Sequence, residues 1–387
     1  MKKIYLEPQW KLPVFARYLL SHPPVGYEFV AKEGASVAAT EAAARHDIAY
    51  KLYDLMGKVV PINLGKAWLD QFAKPPKDTV LTWAILHPVF RREPWIIELT
   101  RELPHFLVGH EPQFERYKSV LLRLVKSDYC RRIICCDAIA REALLSRLGT
   151  SCLEDKIEEV ERAVPSQEFT KNYSNDKVRL LFVNSVNIRT DVHFFTKGGA
   201  ILVEAFSRLS GRYPDLELVI RSALPPDMKA KCKETRGITL VEQPLPAGEF
   251  ERLWQSADIF VLPTHVTPDA IFIEAMSYEL PVVSTNVWAN PGIVQDGRAG
   301  LLIDDPVTAE FAEGAVIHFE HPGWRQAIRR VNEGMVEQLV DKLRILIENP
   351  ELRRQMGRAG RWEVEHGKFS MHRRNDKLKR ILDEVTS

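Results

Sequence analysis

Short apolar runs alternate with amphipathic segments along much of this chain. Residues 80–86, 178–183 and 259–262 are dominated by large apolar side chains, as is typical of parallel strands buried on both faces. Between them lie segments with helical periodicity, such as 199–209, where the apolar side chains recur on one helix face. Strands that alternate with helices, with few hairpin turns, predict an α/β fold built from doubly wound parallel sheets.

Length and composition indicate that the chain forms more than one domain. The 387 residues are enough for two domains with sizeable cores, and 45% of them are apolar, as in an ordinary globular protein. Residues 165–177 are polar and lack periodicity, so we predict that they link the two domains. The net charge of +1 gives no support for nucleic-acid binding.

Cysteine usage and the N-terminal residues predict a cytoplasmic location. An odd number of cysteines without repeated metal-type spacing favours a reducing compartment over a disulfide framework. The N-terminal segment lacks the apolar stretch of a signal peptide, and no window approaches the length of a membrane span. The five cysteines are Cys130, Cys135, Cys136, Cys152 and Cys232.

Residues 257–285 form the stretch around which we expect the rest to be organised. The pattern predicts strand, loop, helix and strand, with Pro281 ending the helix. In such a unit the loop after the first strand lies at the carboxyl edge of the sheet, where open α/β sheets bind ligands. Glu274 lies in the first turns of the helix, where its carboxylate could accept hydrogen bonds from paired hydroxyl groups. The alternative is a solvated glutamate at a helix start.

This stretch resembles the nucleotide-sugar signature of retaining glycosyltransferases of the GT-B fold, in particular glycosyltransferase family 4. The resemblance rests on Leu-Pro at 262–263 and on IEAMSYELPVVST at 273–285. It implies that Glu274 holds the ribose hydroxyls of a donor nucleotide. The family usually has an acidic residue eight positions earlier, followed by Gly-Phe-Gly, whereas this chain has Val266 there. Asp269 could supply the carboxylate, or backbone amides could hold most of the sugar.

A second chemical signal is Lys197, which together with two following glycines begins a predicted helix. Glycines there allow close backbone approach, and the ammonium adds charge to the free helix amides, so the segment is a candidate anion site. The alternative is an ordinary exposed lysine. Family members place Lys-Gly here to bind the donor diphosphate and pair it with an earlier arginine, for which Arg189 is the candidate. The resemblance thus assigns catalytic roles to Lys197, Arg189 and Asp269, and further donor contacts to Ser185, Gly198, Val241, Leu245 and Ile271.

The N-terminal half carries fewer signals. Family members often have a glycine-rich loop after the first strand, where this chain has Glu-Pro-Gln-Trp at 7–10. They also commonly place a histidine near the sugar, and His87, His105 and His110 all fall near predicted strand ends. Each could instead be a structural hydrogen-bonding group. Asp137 is expected to cap the helix that follows it.

The resemblance implies two Rossmann-like domains facing a cleft, at residues 1–168 and 169–366, with a C-terminal helix at 367–387 that returns to the first domain. It implies transfer of a sugar, with retention of configuration, from a UDP-, GDP- or ADP-sugar to a glycan, lipid-linked or small-molecule acceptor. No metal is expected, because helix amides and Lys197 would neutralise the leaving diphosphate. The alternatives are a GT-B protein that binds nucleotide or sugar without transfer, and another GT-B enzyme such as a nucleotide-sugar epimerase.

The C-terminal tail is basic. Its arginines are expected either to form a solvated helix face or to give weak peripheral contact with anionic lipid. They are Arg353, Arg354, Arg358, Arg361, Arg373 and Arg374.

Overall fold

The N-terminal half of the chain forms one six-stranded parallel sheet. The computed structural model describes residues 1–8, 13–31, 55–72, 74–149, 151–172, 177–186 and 191–387. The strand order is β2-β1-β3-β4-β5-β6, and every neighbouring pair is parallel. The strands are β1 (Lys2–Pro8), β2 (Tyr27–Ala31), β3 (Thr79–Ile85), β4 (Trp95–Leu99), β5 (Cys130–Cys135) and β6 (Ile157–Glu159).

Helices cover this sheet, and its strands are apolar because both faces are buried. Every residue of β4 is buried, and Phe114 and Leu144 pack against one face from two different helices. The helices are α1 (Val14–Ser21), α2 (Ile62–Asp70), α3 (Leu103–Leu107), α4 (Glu111–Lys126) and α5 (Ala138–Leu148). Asp137 caps α5 by accepting a hydrogen bond from the Ala140 amide at 2.8 Å, so the predicted cap is confirmed.

The C-terminal half contains a second six-stranded parallel sheet. Its order is β12-β11-β10-β7-β8-β9, the doubly wound order in which the chain reverses direction between β7 and β10. The strands are β7 (Val178–Val183), β8 (Leu216–Arg221), β9 (Ile238–Val241), β10 (Ile259–Leu262), β11 (Val282–Thr285) and β12 (Gly300–Ile303). A two-stranded ribbon, β13 (Ala312–Glu313) with β14 (Val316–Ile317), follows.

Ten helices in the described part of this half surround the second sheet or extend from it. Helix α7 is the innermost, with eight buried residues out of twelve. The helices are α6 (Asp191–Thr196), α7 (Gly199–Ser210), α8 (Pro226–Glu234), α9 (Ala247–Ser256), α10 (Asp269–Ser277), α11 (Asn290–Val294), α12 (Pro306–Ala309), α13 (Pro322–Ala327), α14 (Glu333–Glu348) and α15 (Pro350–Glu365).

The last helix, α16 (Met371–Thr386), packs on the N-terminal sheet. Its Leu378, Ile381 and Leu382 are buried in one cluster with side chains of β1, β2 and β3. The Tyr27 hydroxyl donates a hydrogen bond to Asp383 at 2.7 Å, which fixes the helix at the edge of that sheet. Two doubly wound domains with a returning C-terminal helix constitute the GT-B fold, so the predicted fold is confirmed.

The segment between the sheets has neither helix nor strand over residues 160–172. Lys171 lies in it, and its ammonium donates to the carbonyls of Gln255, at 3.1 Å, and Ala257. This end of the segment is therefore held by the C-terminal domain. The spacing of apolar residues over 41–56 also predicts a helix, and most of that stretch lies outside the described residues.

The arginines of the tail are largely used for internal contacts. Arg361 donates to the carbonyls of Gln167 and Phe169, both at 3.0 Å, and Arg374 donates to the His22 carbonyl at 2.7 Å. These arginines bind one part of the chain to another. Within the described residues, no helix combines the length and apolar character needed to cross a bilayer.

Candidate functional site

The predicted site residues cluster at the carboxyl edge of the second sheet, where the strand order reverses. Strands β7 and β10 are neighbours there, and the segments that follow them carry Lys197 and Glu274. In open α/β sheets, the point where the strand order reverses is the usual ligand position. Two segments far apart in the sequence therefore meet in the same place.

Gly198 brings these two segments into direct contact. Its φ of +71° is a left-handed conformation, and a Cβ atom there would lie 1.9 Å from the Pro263 carbonyl oxygen. The amide of His265 donates to the Thr196 carbonyl at 2.9 Å and closes the contact. Glycine is required here both by the backbone conformation and by the close approach. Gly198 thereby fixes the position of the lysine before it.

The Lys197 ammonium has the properties of an anion-binding group. It is half-buried, and within the described part of the chain its side chain makes no hydrogen bond. Burial lowers its pKa to about 8, while Glu102 and Asp269 act in the opposite direction. A desolvated cation gains more from an anionic ligand than a hydrated one does. Lys197 is therefore well placed to meet an anion at the start of α7.

Glu274 lies half-buried on α10, and no described residue hydrogen-bonds its carboxylate. Burial raises its pKa to about 7, while Arg17 and Arg221 oppose the shift. Burial raises the pKa of Tyr18, on α1 of the N-terminal domain, to about 12, and the nearby Glu274 charge contributes to this rise. The carboxylate thus lies where the two domains meet, and both of its oxygens can accept hydrogen bonds from a ligand.

Arg221, beside Glu274, is a candidate site residue that sequence reasoning missed. It ends β8, lies 4.5 Å from the centroid of the Phe250 ring and donates to the Asn184 carbonyl at 2.9 Å. Its Nε is buried and has no hydrogen-bond partner among the residues that the structure describes. The only signal in the sequence is a cation directly after a buried strand. Together Arg221 and Phe250 form a flat, positively charged surface next to the carboxylate.

Asp269 is engaged by the N-terminal domain. Its carboxylate pairs with Arg101, which follows β4, and lies 3.4 Å from Nε of Arg162, which follows β6. Arg101 also pairs with Asp137. Burial alone would raise the pKa of Asp269, but the two guanidinium groups outweigh it and the pKa lies below its usual value. Asp269 therefore joins the domains, and its predicted contact with sugar stays a prediction.

The three histidines fall into two environments. His87 is fully buried, its Nε2 lies 3.0 Å from the Glu7 carbonyl, and burial lowers its pKa. His105 and His110 both face Glu320 of the C-terminal domain, with N–O distances of 3.4 and 3.0 Å. Burial would raise the pKa of Glu320, but hydrogen bonds from both histidines lower it to about 2. These two histidines contribute to the contact between domains.

The remaining predicted residues lie around the same edge. The Ser185 carbonyl accepts from the Ala223 amide at 3.3 Å, and the Val241 carbonyl accepts from the Ser222 amide at 3.2 Å. Leu245, Ile271 and Val266 are half-buried. Arg189 lies outside the described residues. So do residues 9–10 of the Glu-Pro-Gln-Trp segment at 7–10. In the described ranges, no group of three or more histidine, cysteine, aspartate or glutamate residues could hold a metal ion.

Comparison with known families supports this interpretation of the C-terminal half. Residues 180–320 match the family model described as Glycosyl transferases group 1. This match contains β7, α7, β10 and α10, and thus Lys197 and Glu274. Within the C-terminal half, these residues are therefore similar to group 1 glycosyltransferases, which agrees with the predicted resemblance to glycosyltransferases of the GT-B fold and does not single out family 4.

Curated relatives align mainly with part of the chain. The D-inositol 3-phosphate glycosyltransferase of Arthrobacter sp. (strain FB24) is 28% identical, over 38% of this chain and 42% of that protein. The alpha-maltose-1-phosphate synthase of Mycolicibacterium smegmatis is 26% identical, over 43% of this chain and 39% of that protein. The match thus spans about two fifths of the length of these two relatives.

Solved structures match the chain as a whole. Sucrose-phosphate synthase from Thermosynechococcus elongatus has a TM-score of 0.63 at 14% identity, covering 100% of this chain and 99% of that one. Anabaena Alr3699/HepE in complex with UDP-glucose has a TM-score of 0.60 at 12% identity, covering 99% and 100%. At such identities the likeness establishes the GT-B fold of both domains together.

Proposed function

We propose that this protein is a glycosyltransferase that moves a sugar from a nucleotide diphosphate sugar to an acceptor. One observation carries the proposal: Lys197 presents an ammonium without a described hydrogen-bond partner at the start of α7, beside Gly198 and at the same sheet edge as Glu274. A diphosphate would meet the lysine and the first amides of α7, and a ribose would meet Glu274. The group 1 match over these elements supports this pairing.

The donor-side roles follow from this arrangement. Lys197 would neutralise charge that develops on the leaving diphosphate, and the α7 amides would add hydrogen bonds without any metal. The proposal includes retention of configuration: the acceptor attacks the sugar on the same face from which the diphosphate leaves. The bound UDP-glucose of the HepE structure makes a UDP-sugar the first donor to test.

Domain organisation is included in the proposal. Residues 1–168 would form the acceptor-side domain, 169–366 the donor-side domain and 367–387 the returning helix. Asp269 with Arg101 and Arg162, and Glu320 with His105 and His110, would hold the closed arrangement of the two domains.

The deciding experiment is an assay of the full chain with UDP-, GDP- and ADP-sugars, which follows both transfer to acceptors and slow hydrolysis of the donor. Appearance of free nucleoside diphosphate with one class of donor, and its loss in a Lys197→Ala variant, would support the proposal. Tight nucleotide binding without turnover of any donor would instead support a binding protein. The ion pairing of Asp269 favours that second candidate, because it occupies the acid that could serve the sugar.

Two carboxylate-to-amide variants separate the roles of Glu274 and Asp269. We expect Glu274→Gln to weaken the free nucleoside diphosphate and the intact donor alike, about tenfold, because a neutral amide replaces a charged acceptor. Asp269→Asn should leave binding of the free diphosphate unchanged and reduce turnover, because it loosens the contact to Arg101 and Arg162. Calorimetry and initial rates measure the two effects. Equal diphosphate affinity of Glu274→Gln and the parent would remove Glu274 from the site.

The two shifted pKa values predict how nucleotide affinity depends on pH. Glu274 is an anion above about pH 7, and Lys197 is a cation below about pH 8. Affinity for a nucleoside diphosphate should therefore rise as pH increases through 7, and fall again as pH increases through 8. Calorimetry across this pH range measures the affinity. Glu274→Gln should lose part of the rise in affinity on the acid side, and Lys197→Ala should lose the fall in affinity on the alkaline side. The rise on the acid side that remains in Glu274→Gln reports the phosphate's own proton.

A further inference from the structure

A histidine and an aspartate are buried together at the carboxyl edge of the second sheet. His265 follows β10, and Asp305 lies between β12 and α12. Nδ1 of His265 is 2.7 Å from the Asp305 carboxylate, and the exposed fractions of the two side chains are 1% and 0%. A buried pair of ionisable groups is weak evidence for stabilisation, because both groups must leave water. The His265–Asp305 pair therefore calls for another explanation.

The hydrogen bonds around this pair place the imidazole proton on Nδ1. Burial alone would raise the pKa of Asp305, but hydrogen bonds from His265 and Thr308 outweigh it, and the pKa lies below its usual value. An ionised Asp305 accepts from Nδ1–H of His265. Nε2 of His265 is buried and has no partner in the part of the chain that the structure describes. Because a buried N–H without a partner is rarer than an unused acceptor, Nε2 is assigned as unprotonated and the imidazole as neutral.

Neighbouring side chains hold the His265 ring in one orientation. Its Nδ1 also lies 3.2 Å from the hydroxyl of Thr308, to which the Trp324 indole donates at 3.5 Å. The Trp324 ring meets the imidazole edge to face, with ring centroids 6.4 Å apart. The segment after β10 is thereby attached through a side chain to the segment after β12.

The backbone of the same segment holds the turn that carries Lys197. The His265 amide, at 2.9 Å, and the Thr264 hydroxyl, at 3.2 Å, both donate to the carbonyl of Thr196. Thr196 directly precedes Lys197, and two donors occupy both lone pairs of its carbonyl oxygen. His265 therefore connects three strand ends: its side chain reaches the segment after β12, and its amide reaches the turn after β7.

We propose that His265, oriented by Asp305, is a positioning residue that holds the Lys197 turn in the geometry needed to bind a nucleoside diphosphate. A charged group binds its ligand well only when the groups behind it fix its position. The imidazole is enclosed, so it orients the turn and does not contact the ligand. This inference rests on the diphosphate role proposed above for Lys197, and it does not require sugar transfer.

A double-mutant cycle, measured by calorimetry of the full chain with UDP, tests the proposal. His265→Ala should weaken UDP binding about fivefold or more when Lys197 is present, and less than about twofold in the Lys197→Ala background. The reason is that the second background no longer contains the cation to be positioned. A histidine that only stabilised the fold would lower the affinity by the same factor in both backgrounds. Equal factors would therefore overturn the proposal.

Two variants of similar size test the hydrogen bond itself. His265→Asn places an amide N–H where Nδ1–H was, so it should keep the bond to Asp305 and bind UDP within about twofold of the parent. In Asp305→Asn the carbonyl oxygen must accept from the Thr308 amide, which turns the amide NH₂ group towards Nδ1 of His265. The imidazole proton is then moved to the buried Nε2, as in other histidines that lose such an aspartate.

Asp305→Asn should therefore lose UDP affinity in the presence of Lys197 and not in its absence, and it replaces His265→Ala in the cycle if the alanine variant does not fold. A His265→Asn protein that binds UDP as weakly as His265→Ala would overturn the proposal, because the bond to Asp305 would then not position the turn. So would an Asp305→Asn protein that binds UDP as the parent does.

The matched control is Asn332→Ala in the same domain. Asn332 caps α14 by accepting from the Met335 amide at 3.0 Å, and the adjacent Glu333 pairs with Arg208 at the end of α7 opposite to Lys197. Loss of this cap should lower the melting temperature and leave UDP affinity unchanged.

Binding and transfer are measured separately, so the two proposals can fail separately. Losses of affinity that depend on Lys197, in a protein that transfers no sugar, would support the role of His265 and contradict the transferase. Sugar transfer with equal losses in both backgrounds would contradict only the role of His265. A parent that binds none of UDP, GDP and ADP would overturn both.

Discussion

Replacing Lys197 by alanine is expected to weaken nucleoside diphosphate binding by about 1.5–3 kcal/mol, which is roughly 10- to 150-fold in the dissociation constant. The reason is that the ammonium is half-buried and, within the described residues, unpaired, so a diphosphate is the partner that it lacks. Removing it should not damage the fold, because no internal hydrogen bond of the described chain is lost. Isothermal calorimetry with a free nucleoside diphosphate measures the effect directly.

The control for this variant is Lys177→Ala. Lys177 directly precedes β7, at the amino edge of the second sheet, is 59% exposed at its side chain and pairs with Glu217 at 2.9 Å on the surface. Its removal changes the net charge by the same amount at the edge of the sheet opposite to Lys197. We expect its affinity to match that of the parent. If both lysine variants lose affinity equally, the effect is one of overall charge, and Lys197 is not in the site.

Elements with strong local patterns could be predicted from the sequence. Strand β10, the helix that contains Glu274 and the strand that follows Pro281 were predicted because a buried apolar run, a helix-breaking proline and β-branched residues all indicate the same structure. The Lys197–Gly198 turn was predicted because a glycine at a helix start has few other uses. Each of these signals is contained within a few consecutive residues.

Contacts between distant segments could not be predicted in this way. Arg101 and Arg162 are separated from Asp269 by more than one hundred residues, and nothing in the loops that contain them indicates that they converge. The same holds for Glu320, which meets two histidines of the other domain. Such ion pairs depend on how the two domains are placed, which is a property of the whole chain.

Arg221 is an intermediate case. The apolar run that it ends is visible in the sequence, but its importance comes from Glu274 on α10 and Phe250 on α9. Strand order decides which helices lie beside a given strand end, and the periodic pattern along the chain does not specify that order. The residues of a site that come from several strand ends are therefore the hardest to find from one sequence.

Substituting alanine for Gly198 is expected to destabilise the C-terminal domain by about 2–4 kcal/mol. A left-handed backbone conformation costs an alanine about 1–2 kcal/mol, and its Cβ would lie 1.9 Å from the Pro263 carbonyl oxygen. Since the Cβ is rigidly attached to the backbone and the atom that it meets is a backbone oxygen, the clash is relieved only if the turn moves away from β10. In a domain of this size the melting temperature should fall by about 5–15 °C in a thermal unfolding experiment.

The same variant should also lose nucleotide affinity, because the turn that moves carries Lys197. Gly211→Ala is the matched control: Gly211 follows α7 with φ −69°, and an added Cβ there meets no atom within 4 Å. Its melting temperature should equal that of the parent or exceed it slightly, since alanine restricts the unfolded chain more than glycine does. A Gly198→Ala protein that melts with the parent and binds nucleoside diphosphate as tightly would show that the close approach to Pro263 is not needed, and that the lysine is positioned by some other contact.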